Sequence, residues 1–362
     1  MGFIGSLEIF LNNFSFKNIV KFKNWNPMPI GDGQKISLKI SINSKTYQNY
    51  SFNFIESYLF GKKNNSLKIN LLYSFNNSDD GILKTFGLIF GISKKLKLFN
   101  FVLNNHLSYF FYFYKNFKLL DNKKKFTGTS SNLNFSFSII SNSIDNFIYP
   151  KNGFFLNFSS KITPPYSLFK KEIMNFEKLI EFKNIEYHQW IISFSCFNKI
   201  FKNLVLNTKF FLGFLGRFSH NSHISPFERF YLGGNKMSHS RGFINSKFVS
   251  LRGYSDNSIT PVGKYFGGIL CNKFSLELRY PVFLNKNTPS YFLIFIEGGN
   301  NWNNYQNFIF FNLKKSVGLG VRVFVPMFGL VGVDFGYGFN KDFIQNKISG
   351  WQSTISVGSN LY

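Results

Sequence analysis

The side chains able to do covalent or metal chemistry are few and scattered. His220 and His223 lie in a polar loop with no third ligand near them, so no zinc site is expected. Cys196 and Cys271 form no CxxC pair and fall in opposite phases of the alternating segments described below, so no disulfide is expected between them. Gly329, Gly332, Gly336 and Gly338 match a nucleotide-binding fingerprint only in number, because they follow no βαβ pattern. No nucleophile, base and orienting acid converge along the chain, so neither an enzyme nor a cofactor or metal is expected. What remains is ionic chemistry. Arg252 stands in a long polar stretch, and Glu277, Glu297, Arg322 and Asp334 stand within alternating segments. By residue type alone each is a solvated charge, the default for such side chains.

The elements that would carry these charges are strands. Val317, Leu319, Val321, Val323 and Val325 are apolar at every odd position, with Gly318, Gly320 and Arg322 between them. After a tight turn at Pro326 to Gly329, Val331, Val333, Phe335, Tyr337 and Phe339 continue the odd phase against Gly332, Asp334, Gly336 and Gly338. Period 2 of this kind is a β-strand with one face in an apolar medium. Phe274 to Tyr280, Trp190 to Cys196, Ile36 to Ile42 and Tyr50 to Phe54 alternate in the same way. Glu277 sits in the polar phase of its strand, whereas Glu297 shares its phase with Leu293 and Phe295, which gives less support to a lumenal position. About 15 strands of roughly 9 to 13 residues are expected, the length that crosses a bilayer when tilted. Short connections at Phe201 to Asn203, Lys94 to Lys97 and Pro326 to Gly329 contrast with long ones at Asn116 to Thr129, Pro164 to Tyr187 and Ser219 to Phe266. An outer-membrane barrel has this asymmetry. Asn18 to Gln34 is the exception, long on the side of the short turns.

Composition supports the strands over other classes. The 362 residues include 51 Phe, yet mean hydropathy is only -0.07. Close alternation of aromatic and polar residues produces that balance, and no run approaches the ~18 apolar residues of a membrane helix. In a soluble sandwich the face opposite the apolar one would be charged; here it is Ser, Asn, Gly and Thr, with aromatics crowded at strand ends as at Tyr109 to Tyr114. Such crowding fits the aromatic girdles of a transmembrane barrel. The net charge of +25 is nearly all Lys, in a chain also rich in Asn, Phe and Ile. These are products of AT-rich codons, so the charge predicts no nucleic-acid partner. Met1-Gly2-Phe3-Ile4 lacks the basic start of a signal peptide.

Ser225 to Gly234 (SPFERFYLGG), followed by Leu251-Arg252-Gly253-Tyr254, resembles the sixth extracellular loop of the BamA family, which carries a [VIL]-R-G-[FY] tip. Gly267 to Val282, Ile294 to Trp302 (IFIEGGNNW) and Ser316 to Phe339 resemble the family's strands twelve to fifteen, Asn146 to Gly153 (NFIYPKNG) its turn before strand nine, and Thr46 to Ser57 its strand four. The order of the matches covers nearly the whole chain. The resemblance implies an all-β, transmembrane antiparallel barrel of a 16-stranded family, filling residues 1–362 as a single domain with loop six at 219–266. The family's periplasmic POTRA domains find no match, and Gly2 to Phe14 aligns with its second strand. The chain therefore reads as a domain cut from a larger protein, a misplaced start, a gene fragment, or one half of a split protein whose other half carries the signal peptide, POTRA domains and first strand.

The family folds and inserts other barrel proteins into the outer membrane, so this function and an integral outer-membrane location are implied here. In the family the loop-six arginine pairs with acidic groups on strands twelve and thirteen. The matching residues are Arg252 with Glu277 and Glu297, flanked by Leu251, Gly253 and Tyr254; Asp334 is a further carboxylate for Arg252 or Arg322. A guanidinium at a loop tip can pin the loop by bidentate charge-assisted bonds where water is limited. The last strand resembles the family's C-terminal signal, with Trp351, Ile355, Val357 and Leu361 in one phase, Gly358 after Val357, and Tyr362 one place beyond the usual terminal aromatic. The family's first and last strands meet at a seam that opens to let an incoming strand add by β-augmentation. Implied partners are unfolded outer-membrane barrel clients, outer-membrane lipids, and assembly lipoproteins or a separate POTRA-bearing polypeptide. Two alternatives are a two-partner-secretion pore of the same superfamily and a passive porin.

Overall fold

A computed structural model describes residues 5–43, 46–62, 64–78, 81–96, 100–118, 125–169, 184–219, 224–234, 247–261, 267–283, 288–326 and 329–358. The chain divides into two compact units. One comprises Met1–Ile139, Ser160–His188 and Arg217–Ile224, and the other Ile140–Ser159, Gln189–Gly216 and Ser225–Tyr362. No helix among the described residues is long and apolar enough to cross a membrane.

The first unit holds β1 (Gly5–Phe14), β2 (Gln34–Asn43), β3 (Tyr47–Glu56), β4 (Asn65–Ser78), β5 (Gly81–Lys95), β6 (Phe101–Lys118) and most of β7 (Lys125–Asn142), neighbours in sequence order. The ladders from β1 to β6 are antiparallel. On β5, Leu83 and Thr85 are buried while Phe86, Leu88, Phe90 and Ile92 are exposed, and on β6, Phe110 and Tyr112 are buried while Tyr109 and Phe111 are exposed. The exposed side is the apolar one, the reverse of a soluble sheet. Strand length departs from expectation: β6 and β7 have 18 residues each and take up most of the expected loop at Asn116 to Thr129. The backbone N–H of Asn116 donates to the Thr127 hydroxyl across the extended hairpin, so polar side chains take over ladder bonding where the apolar pattern has stopped.

The second unit holds most of β8 (Gly153–Ile162), then β9 (His188–Phe201), β10 (Leu204–Gly216), the three-residue β11 (Phe230–Leu232) and β12 (Lys247–Val249), and β13 (Leu270–Phe283), β14 (Ser290–Trp302), β15 (Lys314–Val325), β16 (Gly329–Lys341) and β17 (Ile348–Val357). β10 pairs directly with β13, because β11 and β12 lie in the loop between them and pair parallel with each other. Residue phases on β13, β15 and β16 follow the alternation of the sequence: Leu276, Leu278, Leu319, Val333 and Phe335 face outward, and Ser275, Glu277, Ser316, Asp334 and Arg322 are buried. Cys271 is buried and Cys196 half-buried, both free thiols.

Candidate functional site: an arginine-pinned loop

Register lines up the buried face of β10, β13, β14, β15 and β16 in rungs. One rung runs Lys209, Ser275, Glu297, Ser316, Gly338; the next Asn207, Glu277, Phe295, Gly318, Gly336; the third Val205, Arg279, Leu293, Gly320, Asp334. Carboxylates thus stand at three heights on three strands, and the glycines of β15 and β16 leave a trough beside them. The trough explains the small-residue phase of Gly318, Gly336 and Gly338.

The loop between β10 and β13 crosses this face. Its spine is Phe230 to Gly234. Leu232 donates its N–H to the Thr260 hydroxyl (2.9 Å) and accepts from the Ile259 N–H (3.1 Å), and Asn301 on β14 donates to the Phe230 carbonyl (2.9 Å). At Gly234, φ is +65° and an added Cβ would strike Asp256, so only glycine fits. Leu251, fully buried, pairs with Gly234 through both backbone groups.

Arg252 then projects onto the rungs. Its Nη2 lies 2.6 Å from Glu277 Oε1 and 2.6 Å from Glu297 Oε1; Nε donates to Glu297 Oε1 (3.1 Å), and the Arg252 backbone N–H donates to Glu297 Oε2 (2.9 Å). Asp334 Oδ1 is 3.6 Å from Nη1. The guanidinium carbon lies 3.7 Å from the Phe295 ring centroid, a stacked cation–π contact. With 8% of the side chain exposed, these bonds form largely away from water. Burial acts to lower the pKa of Arg252, but Glu297, Glu277 and Asp334 overcome it and raise the pKa, keeping the guanidinium charged.

Gly253, at φ +79°, lies against the trough: a Cβ on Gly338 would come 2.3 Å from the Gly253 carbonyl oxygen, and one on Gly336 2.8 Å from the Gly253 nitrogen. Ser349 donates to the Gly253 carbonyl (2.8 Å). Tyr254, fully buried, donates its hydroxyl to the Lys315 carbonyl (2.7 Å), and burial pushes its pKa up to about 12.

Glu297 is the acidic partner that alternation alone supported least. Leu293, Phe295 and Glu297 share the buried phase, with exposures of 2, 0 and 3%, while Phe292, Ile294 and Ile296 face outward. Apolar residues occupy both faces here because Phe295 forms the floor under Arg252. Asp334 meets both arginines, since Arg322 Nη2 donates to Asp334 Oδ2 (2.8 Å) while Arg252 Nη1 lies further off on the Oδ1 side. Missing from the sequence reading were the flanking cations: Lys273 reaches Glu297 (2.9 Å), Lys209 approaches Glu277 (3.8 Å), and Arg279 Nη2 donates to Glu277 Oε2 (2.5 Å). Arg279 stands two residues from Glu277 in the same phase, and that spacing was the available signal for it. The turn Asn146 to Gly153 is also built: Asn146 Oδ1 accepts from the N–H groups of Ile148 and Tyr149, and the Tyr149 hydroxyl donates to the carbonyls of Asn203 (2.7 Å) and Arg279 (3.1 Å).

On β17, Trp351, Ile355 and Val357 are exposed in one phase, as read from the sequence, and Gly358 at φ +61° donates its N–H to the Leu330 carbonyl (3.0 Å). Leu361, Tyr362, His220 and His223 lie outside the described residues. Among the described residues no group of three or more His, Cys, Asp or Glu side chains could hold a metal ion.

Long antiparallel strands with an apolar outer face and a charged, loop-filled inner face define an outer-membrane β-barrel. The Omp85 superfamily domain matches residues 30–357, and the chain belongs to that superfamily. Among solved structures, BamA from Haemophilus ducreyi lacking POTRA domains 1–3 is similar with a TM-score of 0.70 at 20% identity, over 97% of this chain and 67% of that one. CdiB from Escherichia coli is similar with a TM-score of 0.57 at 13% identity, over 98% of this chain and 59% of that one. At these identities the likeness is one of fold. No curated protein matches the sequence.

Proposed function

We propose that this chain is the barrel domain of an outer-membrane insertase, which folds client barrel proteins into the membrane through a lateral seam. The observation that carries the reading is the loop pinned by Arg252 to Glu277 and Glu297, with Gly253 seated on Gly336 and Gly338. A long loop held at one charged tip keeps the barrel interior shaped while leaving the strand edges free to exchange partners. In this reading residues 1–362 form one barrel domain, and β17 supplies one side of the seam, with Trp351, Ile355, Val357, Gly358, Leu361 and Tyr362 as its signal. An incoming strand adds by backbone hydrogen bonding, and the client's own burial and pairing supply the free energy, since an unpaired backbone group in hydrocarbon costs several kcal/mol. Partners are unfolded barrel clients and membrane lipids, with assembly lipoproteins or a separate POTRA-bearing polypeptide completing the machine.

Depletion in the native host tests this. A joint fall of many outer-membrane barrel proteins is the expected result. Loss of a single exported protein would instead identify a two-partner-secretion pore. Unchanged barrel assembly together with a large single-channel conductance would identify a passive porin.

A further inference from the structure

The end of the first unit that carries its short turns presents a surface that the loop lock does not use. There residues 15–33 join β1 to β2, and the connection is tied together at its base. Ser15 donates its hydroxyl to Asp32 Oδ2 (2.6 Å) and its N–H to the Pro29 carbonyl (3.0 Å), the Phe16 N–H donates to Gln34 Oε1 (2.9 Å), and Asn18 Nδ2 donates to the Ile30 carbonyl (2.9 Å). These bonds hold residues 19–28 beyond the strand ends as an ordered tip. Within it Trp25 Nε1 donates to the Asn18 carbonyl (3.2 Å) and the Trp25 ring lies 5.3 Å from that of Phe22. The polar edge of the indole is thus satisfied inside the tip, which leaves its ring fit for an apolar setting.

The tip is apolar where a turn in water would be polar. Val20 is 82% exposed and Phe22 76%, and Ile19 and Trp25 are exposed as well. The turn between β3 and β4 adjoins it: Ser57 donates its hydroxyl to the Gly33 carbonyl (3.2 Å), a Cβ on Gly33 would come 3.2 Å from the Tyr58 ring, and Phe60, two residues on, is 86% exposed. Exposed apolar clusters of this kind mark a contact surface. Lys17, Lys21 and Lys23 are interleaved with the apolar residues and exposed, whereas Asp32, the acidic residue of the connection, is engaged by Ser15.

Continuity with the outer face of the sheet indicates what covers the tip. Ile36, Phe54 and Ile69 form one rung across β2, β3 and β4, in the phase of the exposed Leu38, Ile40 and Leu71. Phe16 packs edge-on against Phe54 (5.1 Å) and Phe14 (5.2 Å), so the outer apolar face runs on past the strand ends into the connection. In an outer-membrane barrel the short turns lie on the periplasmic side, where the apolar band ends at the headgroups of the inner leaflet. Aromatic rings and lysines are the side chains that settle at this depth, the rings at headgroup level and the ammonium groups near anionic phosphates.

We propose that residues 19–28 form a membrane-docking foot. Val20, Phe22 and Trp25, with Phe60 on the adjoining turn, enter the interface of the periplasmic leaflet, and Lys17, Lys21 and Lys23 meet the phosphates of its anionic phospholipids. The foot ties the first strands of the sheet to the bilayer surface. It stands on the outer-membrane location of the superfamily and is independent of the insertase reading.

The test places the full chain in vesicles of phosphatidylcholine with or without phosphatidylglycerol, with an environment-sensitive NBD label on Val20→Cys in a Cys196→Ser, Cys271→Ser background. Quenching by a phosphatidylcholine carrying a doxyl group near its headgroup reads entry of the tip into the leaflet, and the heat-dependent shift on gels verifies folding of each variant. Quenching is expected in both vesicles and about twofold stronger with phosphatidylglycerol, a gain that the Lys17→Gln, Lys21→Gln, Lys23→Gln triple variant should lose. Phe22→Ser should lower quenching in both vesicles. A label that stays water-like and unquenched in both would overturn the proposal and assign the tip to a protein partner. So would equal quenching in the two vesicles, a gain retained by the folded triple variant, or unchanged quenching in folded Phe22→Ser.

Discussion

Arg252→Ala separates what the loop tip contributes from what the barrel wall contributes. Removing one member of a buried ion pair costs about 3–5 kcal/mol, chiefly because the other charge is left uncompensated. Here the carboxylates keep other cations: Glu297 retains Lys273 at 2.9 Å, Glu277 retains Arg279 at 2.5 Å, and Asp334 retains Arg322 at 2.8 Å. Among the described residues the cluster holds five cations, Lys209, Arg252, Lys273, Arg279 and Arg322, against Glu277, Glu297 and Asp334, so losing one cation moves it toward balance. The cost therefore falls at the low end, about 3 kcal/mol, and is felt as release of the loop, not as unfolding of the sheet. That energy corresponds to roughly a hundredfold rise in loop opening. Amide hydrogen exchange is the direct assay, because the Arg252 N–H itself donates to Glu297 Oε2. Exchange of the peptide spanning residues 247–255 should accelerate by about that factor, while strands β13 and β14 keep their protection. A double-mutant cycle with Glu297→Gln should show a coupling of about 2 kcal/mol. Acceleration of less than about threefold, or strict additivity in the cycle, would refute the lock.

Other expected outcomes follow from the same geometry. Gly338→Ala places a Cβ against the Gly253 carbonyl and should cost about 1–3 kcal/mol by overpacking, read as weaker loop protection in hydrogen exchange with the heat-dependent gel shift retained. Phe295→Ala removes the floor under Arg252 and should cost about 3–5 kcal/mol, read as a lower temperature for the gel shift. Tyr254→Phe loses the bond to the Lys315 carbonyl, a cost of about 1 kcal/mol visible as faster exchange near Asn340, whose N–H donates to the Tyr254 hydroxyl. Tyr149→Phe should destabilise the 145–152 turn by a similar amount, detected as proteolytic nicking there, and normal protease resistance would count against its anchoring role.

Most of the strands were legible because alternation is local: successive Cβ atoms point to opposite faces whatever the chain does elsewhere. Val317 to Phe339 therefore gave both strands of β15 and β16 and the correct buried phase for Asp334 and Arg322. Alternation is uninformative where both faces are apolar, which is why only the family resemblance pointed to Glu297, and it fails where the apolar pattern lapses while ladder bonding continues, which is why β6 and β7 run longer than expected. The loop tip was legible through its resemblance to a family motif, and its acidic partners through the order of matches, not through any spacing in the chain.

What the amino-acid sequence determined by itself was the class of fold and the face on which most charges lie, since strand periodicity and side-chain size need no knowledge of distant contacts. Only the tertiary structure decided how the charges combine. Arg252 and Glu297 are far apart along the chain, and whether they meet depends on the loop folding back across three rungs, on Phe295 turning inward beneath the guanidinium, and on glycines leaving room for Gly253. Lys273 and Arg279 share the carboxylates for the same reason, because register brings them to the same buried face.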